Sequence, residues 1–318
     1  MRLTNRPIIA IVGLGEWGEK LVRIATHLNV PIHGFDIESS KTRRIKRLYP
    51  MLETHTSAAS LLNDARISAV MIATPPLTHY MLSRRALIAG KHVLIEKPMT
   101  QSVSQAQALT TLATASDRII MVDHTYIFSP ALTRVRRLVH SDFIGRLIRI
   151  ESVRNGGHPR KDSSVLWDFA PHDITIAQFL MGALPTGVQT LALPYKKNTL
   201  LDDATIQLVF TDSDVRYLAH VSWNDSTKTR SLICVGEKAS LTLSWDGTRE
   251  TLTHDVSGTR RLIHTAQKEP LEEMFLHFIS SIRSGKQPVS NGEMGYQVVR
   301  IIAALHESWK NDGAKIIL

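Results

Sequence analysis

Side chains that could do chemistry occur in two separate stretches of this sequence. In the first, Glu96 and Lys97 follow the apolar run 93–95 and precede Pro98, which lacks an amide donor and ends a strand. The carboxyl end of a buried parallel strand is where ligands bind in open α/β sheets. The alternative is a solvated ion pair at a strand end, because most charged residues lie on the surface.

The second stretch contains Asp168 and His172, four residues apart at the start of a predicted helix. This spacing places both side chains on one helix face. We predict that Asp168 is the N-cap and that the helix runs to about Met181, before Gly182. Helix capping alone would explain the presence of Asp168. For His172, the alternative to a functional role is a partly buried structural histidine. A histidine in a site can exchange a proton near neutral pH.

A glycine-rich turn connects the first predicted strand, 8–12, to the first predicted helix, 19–28. The turn reads Gly13-Leu14-Gly15-Glu16-Trp17-Gly18, and a second strand, 32–35, then ends at Asp36. The glycines let the backbone turn tightly and approach a pyrophosphate at the helix N-terminus, while the acid accepts hydrogen bonds from ribose hydroxyls. Strand, fingerprint, helix, strand and acid in this order predict a dinucleotide site.

Asp36 also bears on which dinucleotide binds. Its carboxylate would repel a 2′-phosphate, and Glu38 adds to this repulsion, so NAD is favoured over NADP. Arg43 and Arg44 lie close enough in sequence to reach a phosphate, which leaves NADP open as an alternative.

The elements around these motifs predict two domains. Further strand–helix units continue to a last strand at 119–122, so residues 1–124 should form a doubly wound parallel Rossmann sheet. Between 186 and 255 strands follow one another without a long helix. Residues 125–318 should therefore form an α+β domain with a large, mainly antiparallel open sheet, and their C-terminal segment could pack back on the first domain.

Composition limits the classes of function. The chain has 318 residues, of which 43% are hydrophobic and 21% charged, as in soluble globular proteins. Its single cysteine, Cys234, favours a reducing compartment, so we predict a cytoplasmic location. No close pair of histidine or cysteine ligands is present in the sequence, so no metal is predicted. The first apolar run is too short to span a membrane.

The net charge of +9 favours anionic partners, which could be acidic small molecules or nucleic acid. No helix-turn-helix or aromatic-basic platform supports nucleic acid, so we expect a small molecule.

These motifs resemble those of the Gfo/Idh/MocA oxidoreductase family. The resemblance implies a Rossmann domain followed by a domain with a large open sheet, through which members commonly form dimers or tetramers. It covers nearly the whole chain and rests on the following segments: the glycine fingerprint, Ala73-Thr74-Pro75 with His79, Ala89-Gly90-Lys91-His92-Val93 running into Glu96-Lys97-Pro98, Phe128-Ser129-Pro130, Asp168 with His172, Gly285-Lys286-Gln287-Pro288 and Glu307-Ser308-Trp309.

By resemblance, Lys97 and His172 match the family's catalytic lysine and histidine, and Asp168 matches an acidic residue beside them. The histidine would take the hydroxyl proton of a secondary alcohol while hydride leaves carbon for the nicotinamide. The lysine ammonium would stabilise the developing alkoxide. Asp168 would orient His172 or bind a second hydroxyl of the substrate.

The resemblance also implies two sets of binding residues. Glu96 in the first set would position Lys97 or meet the nicotinamide. The cofactor set is Gly13, Gly15, Glu16, Trp17, Gly18, Asp36, Thr74, Pro75, His79, Glu96 and Lys97. The substrate set is Tyr126, Arg154, Asn155, Trp167, Asp168 and His172.

One position departs from the family pattern. Many members carry an arginine where this chain has Ile127, which leaves that substrate contact open. The segments 154–157 and 166–173 are similar to a subgroup linked to sugar or nucleotide-sugar metabolism. Arg154, Arg160 and Lys161 could meet an anionic substrate, or they could be solvated loop charges.

The expected function is NAD(P)-dependent hydride transfer at a secondary hydroxyl or ketone of a sugar, polyol or nucleotide sugar. The alternative is a catalytically silent nicotinamide-binding regulator or sensor with the same fold.

Overall fold

The computed structural model describes residues 7–157, 163–192, 200–210, 214–247 and 249–318. The chain divides into two compact units. The first comprises Met1–Asp123 and Met274–Val299, and the second comprises His124–Glu273 and Arg300–Leu318. No helix among the described residues is long and apolar enough to cross a membrane.

A six-stranded sheet forms the centre of the first unit, and every neighbouring pair of its strands is parallel. The strand order is β3-β2-β1-β4-β5-β6, as in dinucleotide-binding Rossmann sheets. This confirms the predicted fold class for this part of the chain. The elements, in chain order, are β1 (Ile8–Val12), α1 (Glu16–His27), β2 (Ile32–Phe35), α2 (Ser39–Leu48), β3 (Glu53–Thr54), α3 (Ala58–Leu62), β4 (Ile67–Ile72), α4 (Pro76–Ile88), β5 (His92–Ile95), α5 (Val103–Ala115) and β6 (Ile120–Val122).

The central strands of this sheet are apolar because they are buried on both faces. In β1, β4 and β5 nearly every side chain is inaccessible to solvent. The carboxyl ends of these strands are therefore held in fixed positions. The chain order reverses between β1 and β4, and ligands bind at such a switch point. The glycine turn follows β1, Thr74 and Pro75 follow β4, and Lys97 follows β5.

A late segment of the chain completes the free edge of β6. Val122 N–H donates to Ser290 O at 2.8 Å, and Met121 forms an isolated antiparallel bridge with Asn291. Gly292 O accepts a hydrogen bond of 3.0 Å from Thr110 Oγ1. The backbone groups of an edge strand need such partners, and here residues more than 160 positions away supply them.

The second unit contains a nine-stranded sheet of order β14-β13-β12-β11-β7-β10-β9-β8-β15. Only β7 and β10 are parallel among its neighbouring strands, so the sheet is mainly antiparallel as predicted. The remaining elements are α6 (Pro130–Val139), β7 (Leu147–Asn155), α7 (Val165–Asp168), α8 (Ala170–Met181), β8 (Gly187–Leu191), β9 (Asp203–Val209), β10 (Arg216–Ser222), β11 (Thr229–Gly236), β12 (Ser240–Asp246), β13 (Arg249–Val256), β14 (Thr259–Ile263), α9 (Pro270–Ser284), α10 (Gly292–Lys310) and β15 (Ile316–Ile317).

Alternation along β7 gives it one buried face. Ile150, Ser152 and Arg154 are buried, whereas the residues between them are partly exposed. Two of these three buried residues are polar, so this face requires polar partners from the elements that pack on it. Those partners come from α8 and define the candidate site described below.

The predicted cap at Asp168 is wrong. Asp168 is the last residue of the short helix α7, and Phe169 separates it from α8. Phe169, which directly precedes α8, has a helical backbone with φ −102° and ψ −40°, whereas a residue whose side chain caps a helix has an extended backbone. The Asp168 carboxylate instead accepts a hydrogen bond of 3.2 Å from Trp223 Nε1.

Candidate active site

The three fingerprint glycines of the first unit differ in what an added side chain would meet. Gly13 has φ +92°, and a Cβ atom there would lie 2.4 Å from Ala73 O. At Gly18 a Cβ would lie 1.9 Å from Gly13 O, so α1 packs on the turn only without a side chain. Gly15 faces open space, with nothing within 4 Å of an added Cβ. This space, in front of a helix N-terminus, fits the pyrophosphate of a dinucleotide.

The start of α1 leaves donors for such a ligand. Gly15 is the N-cap residue of α1 and has no side chain to cap the helix. The first backbone N–H groups of α1 therefore point away from the helix end. The exposed carboxylate of Glu16 pairs with Lys20 Nζ at 2.9 Å. Trp17 Nε1 donates to Asp123 Oδ2 at 2.9 Å, which ties the fingerprint to the end of β6.

Two backbone amides hold Asp36 at the end of β2. Leu14 N–H donates to Oδ2 at 2.7 Å and Glu38 N–H donates to Oδ1 at 2.8 Å. A carboxylate has about four acceptor positions, so both oxygens can still accept ribose hydroxyls. The nearby arginines have other partners: Arg44 pairs with Glu19 at 2.7 Å, and Arg43 donates to Ser39 Oγ at 3.0 Å.

His79 joins the loops that follow β4 and β5. The ring is fully buried, with Nδ1 2.9 Å from Pro98 O and Nε2 2.8 Å from Thr74 O. Burial lowers the pKa of His79, although both carbonyl contacts oppose this shift. The histidine therefore contacts the backbone directly after Lys97, at Pro98, and the backbone at Thr74.

Glu96 and Asp123 form an acidic pair beside Lys97. Burial and the neighbouring Asp123 carboxylate raise the pKa of Glu96 well above its usual value, which favours the protonated acid. Glu96 Oε2 accepts the backbone N–H of Lys97 at 3.1 Å. A neutral Glu96 would not cancel the ammonium charge of Lys97, and it would position the residue through the backbone.

Arg154 is the centre of the polar cluster in the second unit. Its guanidinium is almost fully buried, and Nε donates to Asp173 Oδ2 at 3.2 Å. Asp173 Oδ1 accepts from Ser152 Oγ at 2.8 Å. Burial lowers the pKa of Arg154, but Asp173 and Tyr126 together outweigh this effect and the pKa lies above its usual value. The arginine is therefore a permanent cation paired with a buried carboxylate.

The ring of Tyr126 contacts both this cation and the predicted base. Arg154 Cζ lies 4.5 Å from the centroid of the Tyr126 ring, a cation–π distance. The same ring meets His172 edge-to-face at 4.9 Å and Trp245 at 5.1 Å. The structure thus brings Tyr126, Arg154 and His172 together, although they come from a 3₁₀ turn at 125–128, from β7 and from α8.

Two buried polar atoms at the carboxyl end of β7 have no hydrogen-bond partner within the described residues. They are Arg154 Nη1, a donor, and Asn155 Oδ1, an acceptor. Buried polar groups are nearly always bonded, so each of these two atoms could bind a polar group of a ligand. Asn155 O also accepts a hydrogen bond from Arg230 Nη1.

Other predicted substrate residues lie in different surroundings. The Trp167 ring stacks on His306 at 5.9 Å, and burial lowers the pKa of His306 to about 4. Asp168 contacts Trp223, as noted above. Arg160 and Lys161 lie outside the described residues.

Several residues that contact the predicted site residues were not themselves predicted. Asp173 follows His172 directly and could have been noticed as a carboxylate on an otherwise apolar helix. Asp123 directly follows the end of β6 and could have been noticed as an acid at the carboxyl end of a parallel strand. No local signal marks the others, which lie in or directly after strands of the second sheet: Trp223, Arg230 and Trp245.

Two family models match this chain. Residues 8–124 match an oxidoreductase family with an NAD-binding Rossmann fold, and residues 132–242 match the C-terminal domain of the same family. The chain belongs to the Gfo/Idh/MocA oxidoreductase family. This confirms the resemblance seen in the motifs, and an NAD(P) cofactor fits the family and the glycine geometry.

Characterised and uncharacterised members are similar over different lengths. An uncharacterized oxidoreductase of Escherichia coli (strain K12) is 26% identical over 58% of this chain and 60% of its own length. Inositol 2-dehydrogenase 2 of Saccharopolyspora erythraea is 32% identical over 40% of this chain and 39% of its own length. The chain thus spans less than two thirds of both relatives.

A solved structure shows the same fold over a longer range. UDP-N-acetylglucosamine 3-dehydrogenase of Acidithiobacillus ferrooxidans has a TM-score of 0.84 and 20% identity. The match covers 97% of this chain and 99% of that chain.

Two glycine substitutions should have different effects on stability and cofactor binding. Gly15→Ala should keep the thermal unfolding midpoint but weaken NADH binding at least 10-fold, because its methyl group enters the space for the pyrophosphate. Gly18→Ala should lower the midpoint as well, since its methyl group clashes with Gly13 O. Calorimetric unfolding and NADH titration check both; tight NADH binding by Gly15→Ala would contradict the assigned pyrophosphate position.

Proposed function

We propose that this chain is an NAD(P)-dependent oxidoreductase that transfers hydride between the nicotinamide and a secondary hydroxyl, or its ketone, of a sugar or nucleotide sugar. The observation that carries the proposal is the position of Lys97. It follows β5 at the carboxyl edge of a Rossmann sheet whose glycine turn has room for a pyrophosphate. A fixed cation at that edge suits an oxygen on which negative charge develops.

The chain's own residues would handle the substrate oxygen and its proton. Bound NAD(P) supplies the hydride acceptor for the alcohol carbon. Lys97 would stabilise the alkoxide oxygen, and His172 would take the proton that leaves the hydroxyl group. In the reverse direction the histidine returns this proton to the ketone oxygen. Asp168, which accepts from Trp223, is the proposed contact for another hydroxyl group.

The polar cluster of the second unit supports a hydroxylated, partly anionic substrate. Arg154 has an unsatisfied donor and Asn155 has an unsatisfied acceptor, and the Tyr126 ring lies against the Arg154 guanidinium. Sugars bind to such combinations of hydrogen-bonding groups and rings, and the buried cation favours phosphate or carboxylate groups. The names of the inositol and UDP-N-acetylglucosamine dehydrogenases point to the same substrate class.

NAD is the proposed cofactor rather than NADP. Asp36 is held in place by two amides and carries a negative charge where a 2′-phosphate would lie. Arg43 and Arg44, the residues that could offset this charge, have Ser39 and Glu19 as partners.

The oligomeric state and the cellular location are also proposals. We propose a homodimer or homotetramer formed through the nine-stranded sheet, and a cytoplasmic location remains a prediction from the single cysteine. The regulator or sensor alternative has no specific observation in its favour, because Lys97, Asp168 and His172 are all present.

Replacing Lys97 should separate chemistry from cofactor binding. Lys97→Ala should lower kcat by about 100-fold or more, because a preorganised charge at the reacting oxygen is lost. NADH affinity should change little. Steady-state kinetics on a panel of sugars and nucleotide sugars, with fluorescence titration of NADH, measures both. Lys286→Ala, an exposed lysine of the same unit, is the matched control, and undiminished turnover in Lys97→Ala would remove Lys97 from the mechanism.

His172 should determine the pH dependence of alcohol oxidation. In the wild type the rate should rise as the imidazole loses its proton, because only the neutral ring accepts the hydroxyl proton. His172→Asn should abolish this rise and lower kcat by roughly 100-fold. The measurement is kcat against pH for both proteins; an unchanged profile in the variant would assign proton transfer to another group.

Asp36 should control the choice between the two dinucleotides. Asp36→Ser should weaken NADH binding and improve NADPH binding, shifting the ratio of their Kd values at least 10-fold. Glu38→Gln, which keeps the Asp36 carboxylate, should shift the ratio much less. Titration of each variant with both cofactors provides the test, and an unaltered ratio in Asp36→Ser would mean that the carboxylate does not face the 2′ position.

A further inference from the structure

We propose that His33, His55 and Asp64 bind one divalent metal ion, with zinc as the best fit. All three belong to the first unit, and none of them is among the residues assigned to the cofactor or the substrate. Each offers one ligand atom, and the three atoms converge on one point between β2, the end of β3 and the turn before β4.

The distances among the three atoms match the size of a zinc ion. His33 Nδ1 lies 2.8 Å from His55 Nε2, and each nitrogen lies 3.9 Å from Asp64 Oδ2. A point equidistant from all three lies about 2.1 Å from each, and zinc bonds to imidazole nitrogen and carboxylate oxygen have this length. Tetrahedral angles at this bond length need all three ligand–ligand distances near about 3.4 Å, so the two nitrogens would move apart and each would move closer to the Asp64 oxygen by about 0.5 Å, with water as the fourth ligand.

The surroundings already orient these ligands as metal sites require. The His33 side chain is 2% exposed, and its second nitrogen, Nε2, lies 3.4 Å from Glu53 Oε2. With Nδ1 on the metal, Nε2–H would donate to this carboxylate, the common carboxylate–histidine–metal arrangement. Arg66 donates to Asp64 through Nη2 at 2.7 Å and through Nε at 3.0 Å, which fixes the carboxylate plane.

The protonation of the ligands also suits a cation. The 2.8 Å contact between His33 Nδ1 and His55 Nε2 needs one nitrogen as an acceptor, so at least one ring is the neutral imidazole that metals bind. Arg66 donates to both oxygens of Asp64, the pairing of a guanidinium with an ionised carboxylate. Without metal, the same atoms form an N–H···N hydrogen bond between the two histidines, which is the competing explanation.

Pairing of the strands creates the cluster. In the parallel register of β2 and β3, His33 lies opposite Glu53 and Gly34 lies opposite Thr54, and His55 N–H then donates to Gly34 O. A metal ion would therefore fasten β3, an edge strand of only two residues, to β2. We expect zinc to stabilise this edge of the sheet.

Metal titration of the full chain tests the proposal. The chelator-stripped wild type should bind one zinc ion in the micromolar range or tighter in competition with a chromophoric chelator, and cobalt should give the visible absorption of a tetrahedral site. Zinc should raise the unfolding temperature. His55→Gln should weaken zinc binding by more than 10-fold and abolish the cobalt spectrum, while NADH affinity stays unchanged.

Two further variants and one control keep the outcome interpretable. Asp64→Asn should also lose tight binding, and Glu53→Gln, which alters only the group behind His33, should weaken it about 10-fold. His264→Gln, an exposed histidine of the second unit, should bind zinc as the wild type does. Absence of stoichiometric binding, or equal affinity in His55→Gln and Asp64→Asn, would establish the histidine pair as a hydrogen bond only.

Discussion

The buried ion pair between Arg154 and Asp173 is the interaction on which the second unit's cluster depends. A guanidinium that is almost excluded from water needs a carboxylate, and a buried charge left without one costs several kcal/mol, on the order of 3–5. Asp173 lies in the first turn of α8, so the pair fixes where that helix begins against β7. His172 precedes Asp173 directly. The ion pair of Asp173 with Arg154 therefore also sets the position of His172, the proposed base. The Tyr126 ring contacts both Arg154 and His172.

The two units differ in how far their functional residues are separated along the chain. In the first unit they follow the ends of successive parallel strands, so a local pattern of apolar run, turn and helix marks each of them. In the second unit Tyr126, Arg154, His172 and Trp245 meet although they span almost 120 positions of the sequence. Motifs therefore predicted the cofactor-binding half in detail, and the substrate-binding half only where the family resemblance supplied it.

The same contrast explains which elements the sequence predicted. β1, β4 and β5 are apolar runs because helices and neighbouring strands cover them, and β2 spans the predicted residues 32–35. β14 was missed, since its residues Arg260 and Arg261 are exposed and it is an edge strand of its sheet. The cap at Asp168 was wrong because Asp168 ends α7, and its carboxylate accepts a hydrogen bond from Trp223, 55 residues away. Approach of His33 to His55 depends on strand register, which spacing along the chain does not reveal.

The late segment that borders β6 has a consequence for synthesis on the ribosome. On the side of β6 away from β5, Val122 and Met121 find their partners at Ser290 and Asn291. Gly295 packs so closely on Val122 and Met99 that a Cβ would lie 2.5 Å from Val122 Cγ2. A nascent chain that ends before residue 290 therefore has a Rossmann sheet with an open edge. All six strands of the cofactor-binding unit are encoded before residue 124, yet the edge of its sheet is completed only after residues 290–295 have been synthesised.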